Sequence, residues 1–158
     1  MPAVKHRYQI DLANPTTVLA GEDVTVRTIT AADLPSLAGL MLEAYRGIID
    51  YEDETYEDAV AEVESLLNGR PMLDHSYLTT VEGTPASAVL VPTSREEPFI
   101  ACVMTHPEYK NRGIGRHQVT SAASSLALAG YDRVVLYITE GNLPSEALFR
   151  AVGARAGE

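Results

Sequence analysis

The segment THPEYKNRGIGRH, residues 105–117, sets a Gly-x-Gly turn between a run that reads as a strand and a run that reads as a helix. Such a junction exposes the unpaired N–H groups of the first helical turn at the positive end of the helix dipole. Glycines there let an anion approach the backbone with no Cβ in the way. Lys110, Arg112 and Arg116 place three of the chain's 12 Lys and Arg residues inside this turn, although the 158-residue chain has a formal charge of -10. An acidic molecule repels phosphate backbones overall, which excludes general nucleic-acid binding, while a local basic turn provides for one anionic ligand. The plain alternative is a glycine turn with solvated basic residues.

Two phosphate motifs are tested and rejected. A dinucleotide fingerprint needs a third glycine where Gln118 stands, and it needs a parallel sheet where the preceding strands read as antiparallel. A P-loop needs a Gly-Lys pair, and the chain has none. The single cysteine, Cys102, excludes an internal disulfide and a thiolate zinc site; it lies within a strand and reads as a small core residue. His6, His75, His106 and His117 are too dispersed for a metal motif, so no metal is expected. No apolar run approaches a membrane span, and MPAVKHRYQIDL lacks the apolar core of a signal peptide. One domain over residues 1–158, in the cytoplasm and without a membrane partner, is the expectation.

Hydrophobic periodicity supplies the elements. Alternation from Val4 to Leu12 predicts a first strand and VTVRTI (24–29) a second. The pattern from Leu34 to Ile48 predicts a helix, with Thr30 or Asp33 as N-cap; Pro35 favours Asp33, because proline fits the first turn. Thr55 and Asp58 resemble a capping box for a second helix that ends at Gly69. SYLTTV, ASAVLV and FIACVMT predict an antiparallel meander. A helix from Gly113 to Leu128, a strand from Arg133 to Ile138 and a short helix from Leu143 to Val152 complete an α+β chain.

The turn T-H-P-E-Y-K-N-R-G-I-G resembles the acetyl-CoA motif [QR]-x-x-G-x-[GA] of the GNAT-type N-acetyltransferases, with Lys110 in place of the usual Gln or Arg and Thr105 in place of Val. VTVRTITAADLPSL resembles that family's first strand and helix, and NLPSEALFRAVGA its last strand-to-helix segment. The resemblance implies a central, mostly antiparallel mixed sheet flanked by helices on both faces, here with an extra N-terminal strand and a shortened C-terminus. It implies acetyl-CoA as co-substrate. The diphosphate would be wrapped by Lys110, Asn111, Arg112, Gly113, Ile114, Gly115 and Arg116, and the pantetheine arm paired with Val103, Met104 and Thr105. Asn142 matches a residue that often contacts the cofactor, and it also reads as the N-cap of the last helix.

Acetyl transfer to an amine needs a neutral nucleophile. A lysine-like amine of pKa near 10.4 lies about 3.4 units, or about 4.6 kcal/mol, from neutrality at pH 7, whereas a leaving thiol near 8.5 lies only about 1.5 units away. A base therefore matters more than an acid. The family's frequent acid is a Tyr in L-Y-x-x-x-G, and Phe149 occupies that position here, so Ser145, another hydroxyl or water must protonate the thiolate, or it leaves unprotonated. Ser145 is also an ordinary first-turn helix serine.

Residues 47–69 carry Asp50, Glu52, Asp53, Glu54, Glu57, Asp58, Glu62 and Glu64 with no Lys or Arg, a negative field that would steer a cationic acceptor, or else a solvated helix face. The resemblance places this segment beside the acceptor, which makes it the first source of a base and favours Glu52 and Glu54 for acceptor contact. Glu140 is a second candidate base; His106 is a third that fits the turn better.

The chain thus reads as an acetyl-CoA-dependent N-acetyltransferase acting on a small-molecule or peptide amine in a ternary complex. The alternative is a non-catalytic acetyl-CoA-binding module of the same fold. The missing C-terminal strands would leave a sheet edge open, to be compensated by the N-terminal strand on the opposite side or by a second subunit in a homodimer.

Overall fold

The computed structural model describes residues 4–12, 24–45, 55–68, 75–92, 98–110 and 113–156. Its elements are β1 (Lys5–Asp11), β2 (Val24–Thr28), α1 (Leu34–Tyr45), α2 (Tyr56–Asn68), β3 (Tyr77–Val81), β4 (Thr84–Leu90), β5 (Phe99–Ile100), β6 (Cys102–Thr105), α3 (Ile114–Leu128), β7 (Arg133–Thr139), α4 (Leu143–Ala151) and β8 (Arg155–Ala156). The α+β class and the mostly antiparallel mixed sheet expected from the sequence are present. The sheet is divided into two four-stranded parts, ordered β2-β3-β4-β6 and β5-β7-β1-β8, and the β5·β7 pairing is parallel.

The division falls inside one predicted strand. Phe99 and Ile100 pair with Val135 and Leu136 of β7, whereas Cys102 to Thr105 pair with β4. Ala101 is the hinge between these pairings, and its N–H donates to the Leu90 carbonyl at 3.0 Å.

Alternation along β4 builds a core on each face. Ala88 and Leu90 join Leu37, Ala38, Met41, Val63 and Met104 under α1 and α2, while Val89 and Val91 join Val119, Ala122, Leu126, Leu136 and Phe149 under α3 and α4. Two features set the register of β3 and β4. Glu82 and Gly83 both have positive φ, at 50° and 82°, as a two-residue hairpin turn requires. A register shift between Thr79 and Thr80 then leaves Ala86 as the extra residue of a bulge, beside Pro85, which a regular central strand would not accommodate.

Three expectations change. β1 lies directly against β7, in register from Lys5↔Thr139 to Asp11↔Arg133, and so occupies the outer edge of β7 instead of the opposite side of the sheet. That edge of β7 is paired within the chain. A further short strand, β8, pairs with Tyr8 and Gln9; two residues are too few to leave a readable alternation.

The third change concerns the capping residue, which is Thr30, at the head of a 3-10 turn over Ala31–Asp33 that runs into α1. Pro35 is the second residue of α1 and lies in its first turn, where proline fits. The Asp33 carboxylate accepts from the Thr30 N–H at 2.9 Å and from Arg27 through both guanidinium nitrogens, at 2.7 and 2.9 Å. The Thr55/Asp58 capping box of α2 forms as expected, at 2.9 and 3.2 Å. Gly69, its expected stop, lies outside the described residues.

The Arg27 hydrogen bonds, aided by the Thr30 amide, hold the Asp33 carboxyl below its ordinary value of 3.8. A depressed carboxylate stabilises the fold above its unfolded pKa, and that contribution is lost as pH falls through the folded one. Asp33→Asn is expected to cost about 2 kcal/mol at pH 7 and to flatten the acid limb of stability, as read by urea unfolding against pH.

Candidate functional site

Because β5 pairs with β7 and β6 does not, the two parallel-running chains separate beyond Ile100 and Leu136. Among the described residues β6 is paired only with β4, and β7 beyond Leu136 only with β1. The facing edges of β6 and β7 therefore carry backbone groups with no strand partner, in a wedge that opens toward Thr105 and Thr139.

The N-terminus of α3 stands at the mouth of this wedge. Gly113 is its N-cap, in the left-handed region at φ 77°, and contributes no side-chain cap. The His117 N–H to the Gly113 carbonyl, at 3.0 Å, is the first helical bond, so the amides of Ile114, Gly115 and Arg116 have no intrahelical acceptor. A Cβ at Gly113 would meet no atom within 4 Å. Amides with no intrahelical acceptor, next to a glycine whose Cβ position is open among the described residues, fit a phosphate-bearing ligand. Lys110 is half-buried beside the turn and Arg116 is exposed, while Asn111 and Arg112 lie outside the described residues.

Gly115 serves a different purpose. A Cβ there would lie 3.4 Å from Thr105 Oγ1 and 3.6 Å from the Leu148 methyls, so this glycine is where helix, strand end and α4 meet.

Behind that contact lies a polar network that sequence reasoning missed. Thr79 Oγ1 donates to Gln118 Oε1 at 2.8 Å, Gln118 Nε2 donates to Ser87 Oγ at 2.9 Å, and Ser87 Oγ donates to the Met104 carbonyl at 2.8 Å. Ser87 Oγ also lies 2.9 Å from Thr105 Oγ1; with its own proton committed to Met104, it accepts from Thr105. Thr79, Ser87 and Gln118 are all fully buried. The signal was a glutamine four residues from both Ile114 and Ala122, in the apolar stripe of α3.

Of the residues singled out for the cofactor, Val103, Met104 and Thr105 form the end of β6. Val103 packs toward the α3 face and Met104 is buried under α1 and α2. Asn142 is buried and caps α4, accepting from the Ser145 N–H at 3.3 Å, so Ser145 stands in an ordinary first helical turn. His106 belongs to the turn: its Nδ1 accepts from the Glu108 N–H at 3.1 Å.

Glu140 follows β7 at the wedge mouth, largely exposed. Its N–H donates to the Val4 carbonyl at 2.7 Å and its carboxylate lies 3.7 Å from His6 Nε2. β1 thus brings in a histidine that sequence spacing did not connect with Glu140. Glu52 and Glu54, with Asp50 and Asp53, fall outside the described residues. Glu57, Asp58, Glu62 and Glu64 of α2 are exposed, as on a solvated helix face. Cys102 lies in β6 as expected. Phe149 is 6% exposed, a core residue under α4 with no hydroxyl to offer. Among the described residues no three His, Cys, Asp or Glu side chains are grouped as a metal would need, and no helix is long and apolar enough to cross a membrane.

Residues 40–154 match the sequence profile of the acetyltransferase (GNAT) family, and the chain belongs to that family, whose co-substrate is acetyl-CoA. A comparison with curated protein sequences gives no match.

Among solved structures, the chain resembles a GCN5-related N-acetyltransferase from Sphaerobacter thermophilus at 18% identity and TM-score 0.78. The match covers 97% of this chain but 48% of that one, so the chain spans about half that protein's length. PaiA N-acetyltransferase from Thermoplasma acidophilum, solved with coenzyme A, is 17% identical at TM-score 0.69, over 81% of this chain and 87% of that one. The ribosomal-protein-S18-alanine N-acetyltransferase of Escherichia coli is 17% identical at TM-score 0.67, over 82% and 76%.

The two glycines should respond differently to a methyl group. Gly113→Ala, strained at φ 77°, is expected to cost about 1–2 kcal/mol. Gly115→Ala, in ordinary van der Waals contact and outside the left-handed region, should leave the urea midpoint nearly unchanged.

Burial pushes the His117 imidazole below its ordinary 6.5, and its Nδ1 is buried with no hydrogen-bond partner among the described residues. The unfolded chain then binds the proton more readily, so stability should fall as pH is lowered through about 6.5 toward the folded value. A pH series of melts on wild type and His117→Gln checks this, the variant showing the shallower dependence.

Proposed function

We propose that this chain is an N-acetyltransferase that passes the acetyl group of acetyl-CoA to an amine, on a small molecule or a peptide, by direct attack within a ternary complex. The carrying observation is the wedge between β6 and β7 ending at the uncapped amides of Ile114, Gly115 and Arg116. Acetyl-CoA supplies a thioester whose carbonyl accepts the amine and whose thiolate departs.

The first-turn amides of α3, with Lys110, Asn111, Arg112, Gly113 and Arg116, hold the diphosphate. The unpaired edge at Val103, Met104 and Thr105 binds the amides of the pantetheine arm, and strand N–H groups polarise the carbonyl as fixed dipoles, with no reorganisation during reaction. Asn142, buried at the start of α4, contacts the cofactor while capping the helix.

Glu140 takes the amine proton, with His6 alongside it. Glu52 and Glu54, in the acidic segment before α2, contact the acceptor, and the carboxylates of α2 favour a cationic one. Since Phe149 offers no proton, Ser145 or water serves the leaving thiolate. The same buried Phe149 favours the second reading, a module that binds acetyl-CoA without turning it over.

Acetyl-CoA at 100 times its dissociation constant should stabilise the protein by about 2.7 kcal/mol in a thermal or urea titration, and no shift at saturation would remove both readings. Free-thiol release across a panel of amines, polyamines, aminoglycosides and peptide N-termini separates the two: turnover with any acceptor rejects the inert module. With an acceptor in hand, Glu140→Gln should lower kcat by about 100-fold at unchanged acetyl-CoA KM. An unchanged kcat would move the base to Glu52 or Glu54, tested in the same way.

A further inference from the structure

We infer that Gln118, through Ser87 and Thr79, is a positioning residue that sets the distance between the two halves of the acetyl-CoA cradle, the end of β6 and the N-terminus of α3. The inference rests on the cofactor reading proposed above and goes beyond it, since Gln118, Ser87 and Thr79 belong to neither half and cannot reach the ligand from full burial.

Each bond in the network has a definite direction. Thr79 of β3 orients the Gln118 amide by donating to its oxygen at 2.8 Å, which leaves the amide nitrogen to donate to Ser87 at 2.9 Å. Ser87 of β4 spends its proton on the Met104 carbonyl at 2.8 Å and accepts from Thr105 at 2.9 Å. The last two residues of β6 are therefore tied, through Ser87, to the second turn of α3.

On the near side the same Thr105 hydroxyl packs against Gly115. Helix and strand end are joined at two points, one a close van der Waals approach and one a buried set of hydrogen bonds. Van der Waals approach fixes a separation loosely, because it has no preferred direction. A set of four hydrogen bonds fixes both distance and rotation.

Stability alone does not call for such a network. A buried set of hydrogen bonds replaced throughout by apolar groups of similar shape is often neutral for folding, whereas loss of one partner strands the others. This contrast supplies the test.

Gln118→Leu alone should unfold at lower urea and bind coenzyme A about tenfold more weakly. The triple variant Thr79→Val, Ser87→Ala, Gln118→Leu should regain most of the wild-type urea midpoint yet keep the tenfold weaker coenzyme A affinity by calorimetry. Its acetyl-CoA KM should be raised to match, with kcat at saturation within twofold of wild type. Thr79→Ser, which keeps the hydroxyl, should bind coenzyme A as wild type does, and Thr79→Val should bind severalfold more weakly.

If the triple variant, or Thr79→Val where the triple does not fold, binds coenzyme A with wild-type affinity, the network is structural only and the inference is overturned. If wild type itself does not bind coenzyme A at millimolar concentration, the cofactor reading falls first.

Discussion

The exchange of partners at Ala101 is the constraint on which the rest of the structure depends. A strand can pair on two sides at once, and FIACVMT instead pairs parallel with β7 through Phe99 and Ile100, then antiparallel with β4 from Cys102 onward. Backbone donors and acceptors must find partners or remain accessible to solvent or ligand. Splitting the pairing therefore leaves two strand edges with no strand between them among the described residues, and an extended ligand rich in amides satisfies such edges as a strand would.

Everything around the wedge keeps it open. β1 pairs with the outer edge of β7 along its full length, so β7 is held from one side and has no need to close against β6. The bulge at Ala86 bends β4 where the Ala86 carbonyl receives the His106 N–H at 2.8 Å, which turns the chain out of β6 and into the loop that returns as α3. Gly113 then begins the helix in a left-handed conformation, with no side chain to cap its amides. The polar network through Gln118 and the close approach of Gly115 to Thr105 seat that helix on the sheet.

Charge and burial divide the work between the two faces. The α1/α2 side presents exposed carboxylates on α2, whereas Lys110 and Arg116 flank the N-terminus of α3, a local positive region on a molecule of net charge -10. Phe149 shows how the fold constrains chemistry: its ring is part of the core shared by β7, α3 and α4, and a group so placed contributes packing instead of a proton.

The element types, the glycine turn, the capping box at Thr55 and the N-cap at Asn142 were legible in the sequence because each rests on local periodicity or on a side chain bonding its own backbone a few residues away. The helix-terminal amides at the glycine turn were legible for the same reason, since they come from one contiguous stretch. Only the tertiary structure decided the pairing of β1 with β7, the hinge at Ala101, the approach of His6 to Glu140 and the burial of Gln118 against Thr79 and Ser87. Each joins segments far apart in the chain, as with Thr79 and Gln118, and strand alternation states which face is buried without naming the neighbour. The cap of α1 fell between the two: Thr30 and Asp33 were both visible, and Arg27, reaching across from β2, fixed the carboxylate that selects between them.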